Sequence, residues 1–235
     1  MTDTASRFDN LPVIANPQEH RCPCLLLLDT SSSMSANELG SPIDELNRGL
    51  RIFTQSINDD PLARKRVEVA VITFDSSARL RSDFCLAPDF RPENYQASGS
   101  TAMGEAIEMG MDLIERRKAI YRNSGALFYR PWIFLLTDGA PTDVGAGSGR
   151  TWQSLTASVR QAEAMKKFTL FAVGVKGADF NALNELSARG ALELDGVNFR
   201  SLFQWLSSSL GSVSQSHPDD GEVPLVPPTW GRVPT

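Results

Sequence analysis

The run Cys22-Pro23-Cys24-Leu25-Leu26-Leu27-Leu28 is apolar at nearly every position and stops abruptly at Asp29-Thr30-Ser31-Ser32-Ser33. A strand without polar alternation is buried on both faces, the pattern of a parallel sheet covered by helices. Such a strand, ending in a carboxylate and a cluster of hydroxyls, puts hard oxygen donors at the carboxyl edge of the sheet. Open α/β sheets bind their ligands at that edge.

Other segments fit the same architecture. Pro42 to Ile57 reads as a helix, with Ser41 before it, Pro42 at the first helical position and Asp44 and Glu45 in the first turn. Ile43, Leu46, Leu50 and Phe53 mark its buried face. Val67 to Phe74 is a β-branched strand, turned by Asp75-Ser76-Ser77 into a hairpin partner, Ala78 to Leu86. Met103 to Tyr121 is helical, Trp132 to Leu136 a central strand, and Thr151 to Lys167 a helix with Leu155, Val159, Ala162 and Met165 inward. Phe168 to Val175, Leu183 to Leu186, Ala191 to Leu194 and Asn198 to Leu210 complete a strand, helix, strand and helix. The alternation predicts an α/β fold with a doubly wound, mostly parallel six-stranded sheet, one antiparallel edge strand, and helices on both faces.

The expected organisation is a leader over 1–21, one domain over 22–211 and a Pro-rich tail over 212–235, which carries five prolines between Pro218 and Pro234. Leu11 to Ile14 is expected to lie against the domain, and Leu225, Val226 and Trp230 are apolar residues of the tail. A net charge of −5 lacks the basic face that nucleic acid requires. Arg64-Lys65-Arg66 and Arg116-Arg117-Lys118 read as solvated helix ends. Three cysteines do not make a disulfide framework, and Cys22 and Cys24 read as small buried hydrophobes in a reducing compartment. Met1 to Asn10 has no apolar stretch of a signal peptide, and no run approaches the ~18–20 residues that span a bilayer. No membrane contact and a cytoplasmic location are expected.

Two further segments join the serine loop. Ser98-Gly99-Ser100-Thr101 opens a helix, and Thr137-Asp138-Gly139 ends the central strand. In order they give D-x-S-x-S, then T, then D, which resembles the metal-ion-dependent adhesion site of von Willebrand factor type A (VWA) domains. The likeness covers about residues 22 to 215 and implies the Rossmann-like VWA fold. It is similar to the TerY-like, tellurite-resistance-associated bacterial branch through Leu28-Asp29-Thr30-Ser31, Asn47-Arg48-Gly49-Leu50, Val71-Ile72-Thr73-Phe74-Asp75, Thr137 to Asp143 and Phe203-Gln204-Trp205-Leu206-Ser207. One departure is Ser32, where the family usually has glycine.

The resemblance implies a metal site of Asp29, Ser31, Ser33, Thr101 and Asp138; by position, Asp75 and Asp143 read either as backing or rim carboxylates or as the turn formers that lone loop acids more often are. The chemistry agrees. Mg²⁺ prefers six oxygens at ~2.1 Å, and Mn²⁺ or Ca²⁺ takes similar donors. Ser31 and Ser33, two apart in an extended loop, converge on one ion. Only two carboxylates leave the cation electrophilic toward a partner's Asp or Glu. The reading is a non-catalytic, metal-dependent interaction module. Its family setting implies assembly of a kinase/phosphatase stress-response complex with a PP2C-type phosphatase and a Ser/Thr kinase.

Two alternatives compete. A haloacid-dehalogenase-like phosphohydrolase also follows a strand with a nucleophilic Asp, but it wants a second Asp two residues on, where this chain has Ser31. A structural scaffold with a non-functional metal site is the other. A Ser-His-Asp hydrolase is disfavoured, since the only histidines are His20 and His217.

Overall fold

The computed structural model describes residues 14, 16–35, 40–144, 151–194, 196 and 198–218, and the backbone of 231–232. The expectations for Met1 to Val13 and for Leu225, Val226 and Trp230 fall outside the described residues.

The six expected strands are β1 (Cys22–Asp29), β2 (Val67–Phe74), β3 (Ala78–Leu86), β4 (Trp132–Thr137), β5 (Thr169–Gly174) and β6 (Ala191–Leu194). They lie in the order β3-β2-β1-β4-β5-β6. All neighbours run parallel except β2 and β3, whose antiparallel pairing carries register shifts between Val69 and Ile72. A two-residue strand, β7 (Gly231–Arg232), adds antiparallel to β6 within the segment expected to hold no regular element.

β1 shows how the sequence selects this architecture. Its side chains alternate between two cores, as the two-residue strand period requires. Cys22, Cys24, Leu26 and Leu28 face one core, and Leu25 and Leu27 face the other. The first core is closed by α1 (Pro42–Asp59) and α6 (Phe199–Gln215), with Leu46, Leu50, Phe53, Leu202, Phe203 and Leu206 all buried. The second is closed by α3 (Met103–Ser124), α4 (Trp152–Ala164) and α5 (Phe180–Leu186). A short α2 (Ala63–Arg66) leads into β2. α1 and α6 pack closely because Gly49 has no side chain, and a Cβ there would stand 2.5 Å from the Phe203 ring.

Three local expectations change. Met165 is 61% exposed and not inward, because α4 stops at Ala164 and the chain turns at Lys166, φ 56°. The last helix runs past Leu210 to Gln215, so the expected start of the tail at 212 falls inside it. Its serines turn their hydroxyls back onto the helix, Ser212 to Ser208 O at 3.0 Å and Ser214 to Gly211 O at 2.8 Å, and the burial of Val213 against the core extends the packed face. Arg117 and Lys118 are not solvated. Arg117 reaches the buried Glu68 at 2.7 Å, and Lys118 is itself buried.

Glu68 also faces Arg21 at 3.6 Å and accepts from the Tyr121 hydroxyl. This network sits at the amino edge of the sheet. There the two flanking segments meet: the rings of His20 and His217 lie 4.8 Å apart. Tyr129 donates to Ser216 O, and Arg66 donates to Ser214 O while pairing with Glu19. Ile14 packs with Tyr121 and Ala126. Cys22 and Cys24 are buried free thiols, and Cys85 is half-buried and free.

Candidate metal site at the strand switch point

The chain lays down β1, β2 and β3 toward one edge and then crosses to place β4 on the other side of β1. Such a reversal opens a crevice at the carboxyl ends of the two strands. Asp29 ends β1 and Asp138 follows β4, so the topology brings the two carboxylates to that crevice.

Asp29 is fully buried. One oxygen accepts the Ser31 backbone N–H at 2.8 Å, and the other accepts the Thr137 hydroxyl at 2.6 Å. Burial raises its carboxyl to about 6. The Ser31 and Thr137 hydrogen bonds oppose that shift, and the nearby Asp138 charge adds to it. Asp138 is raised as well, first by burial and against the Ser33 hydrogen bond.

The serine loop forms a tight turn over Ser32–Met34 and not the extended loop expected. Met34 is fully buried and anchors that turn in the core. The two hydroxyls still converge, Ser31 Oγ to Ser33 Oγ at 3.0 Å, and Ser33 donates to Asp138 Oδ1 at 2.6 Å.

The third segment reaches the site through a pinned loop. The buried Asn47 side chain bonds both the N–H and the C=O of Tyr95, each at 2.9 Å. Ser98 then donates to Thr30 O at 2.8 Å, and Ser32 donates to Gly99 O at 3.1 Å. Thr101 arrives buried beside the residue after Asp138, with its hydroxyl 3.3 Å from where a Cβ of Gly139 would stand. Any side chain at 139 would crowd that hydroxyl.

The two carboxylates expected at the rim, Asp75 and Asp143, are otherwise engaged. Asp75 takes Arg79 at 2.6 Å and the Ser77 N–H at 3.3 Å. Asp143 accepts the backbone N–H groups of Gly104 at 3.0 Å and Glu105 at 2.7 Å, capping α3 from a different loop. Sequence reasoning gave no role to Thr137, which orients Asp29, or to Thr142, whose hydroxyl accepts the Thr101 N–H at 3.0 Å. The signal available for Thr137 was its place beside Asp138 at the strand end.

The donor set fits a small hard cation. Adjacent ligands of an octahedron with ~2.1 Å bonds stand ~3.0 Å apart, which is the Ser31–Ser33 separation. Among the described residues no group of three or more His, Cys, Asp or Glu gathers, so the chemistry available is hydroxyl plus carboxylate. Among them, too, no helix is long and apolar enough to cross a membrane.

A profile of the von Willebrand factor type A domain family matches residues 25–202. Solved structures share the fold at low identity. The pilus adhesin SpaC of Lactobacillus rhamnosus GG is 16% identical with a TM-score of 0.66, over 84% of this chain and 32% of that one. A von Willebrand factor type A protein of Catenulispora acidiphila is 14% identical with a TM-score of 0.60, over 82% and 43%. Proximal thread matrix protein 1 of the mussel byssus, solved with a zinc-occupied MIDAS motif, is 16% identical with a TM-score of 0.53, over 82% and 48%. The chain thus spans about a third to a half of the length of these proteins. A search of curated protein sequences returns no significant match. With a profile match running from β1 into α6, on the sheet order and switch point described above, the chain belongs to the von Willebrand factor type A domain family.

Proposed function

We propose that the domain is a non-catalytic, metal-dependent protein-recognition module. Asp29, Ser31, Ser33, Thr101 and Asp138 would hold one divalent cation, Mg²⁺ or the similar Mn²⁺ or Ca²⁺. The observation that carries this reading is the convergence of Ser31, Ser33 and Asp138 at 3.0 and 2.6 Å on the switch point that Asp29 also faces. When bound, the cation supplies an electrophilic position for a partner's carboxylate.

The chain's residues prepare that step. Thr137 and the Ser31 N–H hold Asp29 in one orientation, and Met34 and Asn47 fix the two loops that carry the hydroxyls. The Asp138 charge adds to the proton affinity of Asp29, and two carboxylates so placed favour a cation between them. Around the site, Arg79 is half exposed and Lys176 exposed, while Asp75 and Asp143 are tied up by Arg79 and the α3 backbone. That charge pattern suits an acidic partner surface.

The non-catalytic reading is supported by where the bases are. His20 and His217 lie together at the amino edge of the sheet, away from the serines. Ser31 stands where a phosphohydrolase would need its acid. The finer setting includes the TerY-like branch, a role in tellurite resistance or stress response, a PP2C-type phosphatase and Ser/Thr kinase as partners, and the cytoplasm. It rests on the motif resemblance and, for the compartment, on three free cysteines.

Isothermal titration with Mg²⁺ and Mn²⁺ tests the site. One binding event is expected, and it is absent in Asp29→Ala. Equal binding by the variant would discard the ligand assignment, and no binding by the parent would favour a scaffold with a silent site.

A further inference from the structure

Asp143 closes a bridge between the two loops that carry Asp138 and Thr101. The segment after β4 reaches back to the start of α3 through four polar contacts within two residues. Thr142 Oγ1 accepts from Thr101 N at 3.0 Å, and Thr142 N donates to Thr101 O at 2.9 Å. Asp143 takes the Gly104 and Glu105 N–H groups at 3.0 and 2.7 Å. α3 has no side-chain cap from its own N-cap residue, Ala102. The helix start is satisfied from a loop about 40 residues further along the chain.

This arrangement constrains more than a helix end. Backbone N–H groups at a helix start are orphaned and strongly favour an anionic acceptor. Asp143 therefore holds its own loop against α3, and the two Thr101–Thr142 bonds, one to the Thr142 backbone and one to its hydroxyl, fix the register of that contact. Asp138 and Gly139 lie in the same loop, and Thr101 stands next to Ala102, the N-cap residue of α3. With residue 101 fixed to 142 and residues 104 and 105 fixed to 143, the Thr101 hydroxyl keeps its place beside Gly139.

We propose that Asp143, with Thr142, is the positioning pair of the metal site: it touches no ion and sets metal affinity by locking Thr101 against the Asp138 loop. The inference rests on the metal-site reading above. It replaces the rim role first given to Asp143, because both its carboxylate oxygens are committed to the α3 backbone.

The test is Mn²⁺ titration of the full chain by calorimetry at a temperature where every variant is folded by circular dichroism. Asp138→Ala is the reference for the site itself. Asp60→Ala is the structural control, since Asp60 likewise caps a helix start by accepting two backbone N–H groups, Leu62 and Ala63 at 2.9 and 2.8 Å, at the other edge of the sheet. Loss of an outer hydrogen-bonding partner typically weakens metal affinity 10–100-fold. Asp143→Ala should weaken Mn²⁺ by about 10-fold, Asp143→Asn by less because one acceptor oxygen remains, and Asp60→Ala not at all. Thr142→Val removes a single hydroxyl contact and serves if Asp143→Ala does not fold, with the same direction expected.

Unchanged affinity in the Asp143 and Thr142 variants, with binding lost in Asp138→Ala, overturns the positioning role and leaves the site standing. Equal weakening by Asp60→Ala reduces the effect to general loosening and also overturns it. Unchanged binding in Asp138→Ala overturns the site, and the inference falls with it.

Discussion

Thr137 donates its hydroxyl to Asp29 at 2.6 Å, from β4 to the neighbouring end of β1, inside a fully buried environment. The bond is the chief side-chain link between the two central strands where they part to form the crevice. Thr137→Val keeps the shape and removes the donor, leaving a buried carboxylate oxygen unsatisfied. The expected cost is about 1–3 kcal/mol of unfolding free energy at pH 7.5. Denaturant titration at pH 7.5 and pH 5 should show the larger loss at the higher pH, where Asp29 is charged. Equal losses would mean the bond does not act on the carboxylate.

Asp29 makes stability depend on pH in an unusual direction. Its folded pKa, about 6, lies above the ordinary 3.8, so between those values the folded chain keeps a proton that the unfolded chain releases. From this group alone, stability falls as pH rises from about 4 to about 6. A cation needs the ionised form, so stabilisation by Mg²⁺ should grow over the same rise. Melting temperatures from pH 5 to pH 8, in EDTA and in Mg²⁺, should diverge across pH 6. Parallel curves would contradict it.

Asp29→Asn separates the two effects. The amide keeps hydrogen-bonding capacity and never ionises, so in EDTA at pH 7.5 the variant should melt no lower than the parent. It should lose all response to Mg²⁺. A variant that is less stable in EDTA yet still gains from Mg²⁺ would show that the charge is not what the site uses.

The amino edge offers a contrast. Glu68 is 2% exposed and lies between Arg21 and Arg117. Glu68→Gln leaves the buried Arg21 without its counter-charge, a change that typically costs about 3–5 kcal/mol. Mn²⁺ affinity of the remaining folded protein should not move, because the network is at the other end of the strands. A parallel drop in affinity would tie the two poles together.

Hydrolysis of p-nitrophenyl phosphate and p-nitrophenyl acetate should stay at the rate of free metal. The site pairs hydroxyls with carboxylates, and the two histidines lie at the opposite edge of the sheet. Turnover lost in Asp29→Asn but kept in Asp138→Ala would restore the phosphohydrolase reading.

Much of this was legible from residue order. The limits of β3 and β6 follow from apolar pattern and turn residues, since those signals are local. The approach of Asp29 and Asp138 follows from strand topology. What stayed hidden depends on partners distant in sequence. Nothing near Asp143 announces that α3 lacks a cap of its own. Arg117 reads as solvent-facing until β2 delivers Glu68 to it, and Met165 reads as buried until Lys166 turns the chain. Hydrophobic period reports which face is covered and not which polar group will be met there.

The juxtaposition of His20 and His217 has a mechanical meaning. Residues 20 and 217 meet beneath the amino ends of the strands, while the serine loop lies at the far end and the chain returns to the sheet only at β7. The segment around Glu19 is fastened to the one around Ser216 through Arg66 and Tyr129. The clasp that closes the domain and the hydroxyl-lined crevice thus occupy opposite ends of the same strands, so changes at one need not disturb the other.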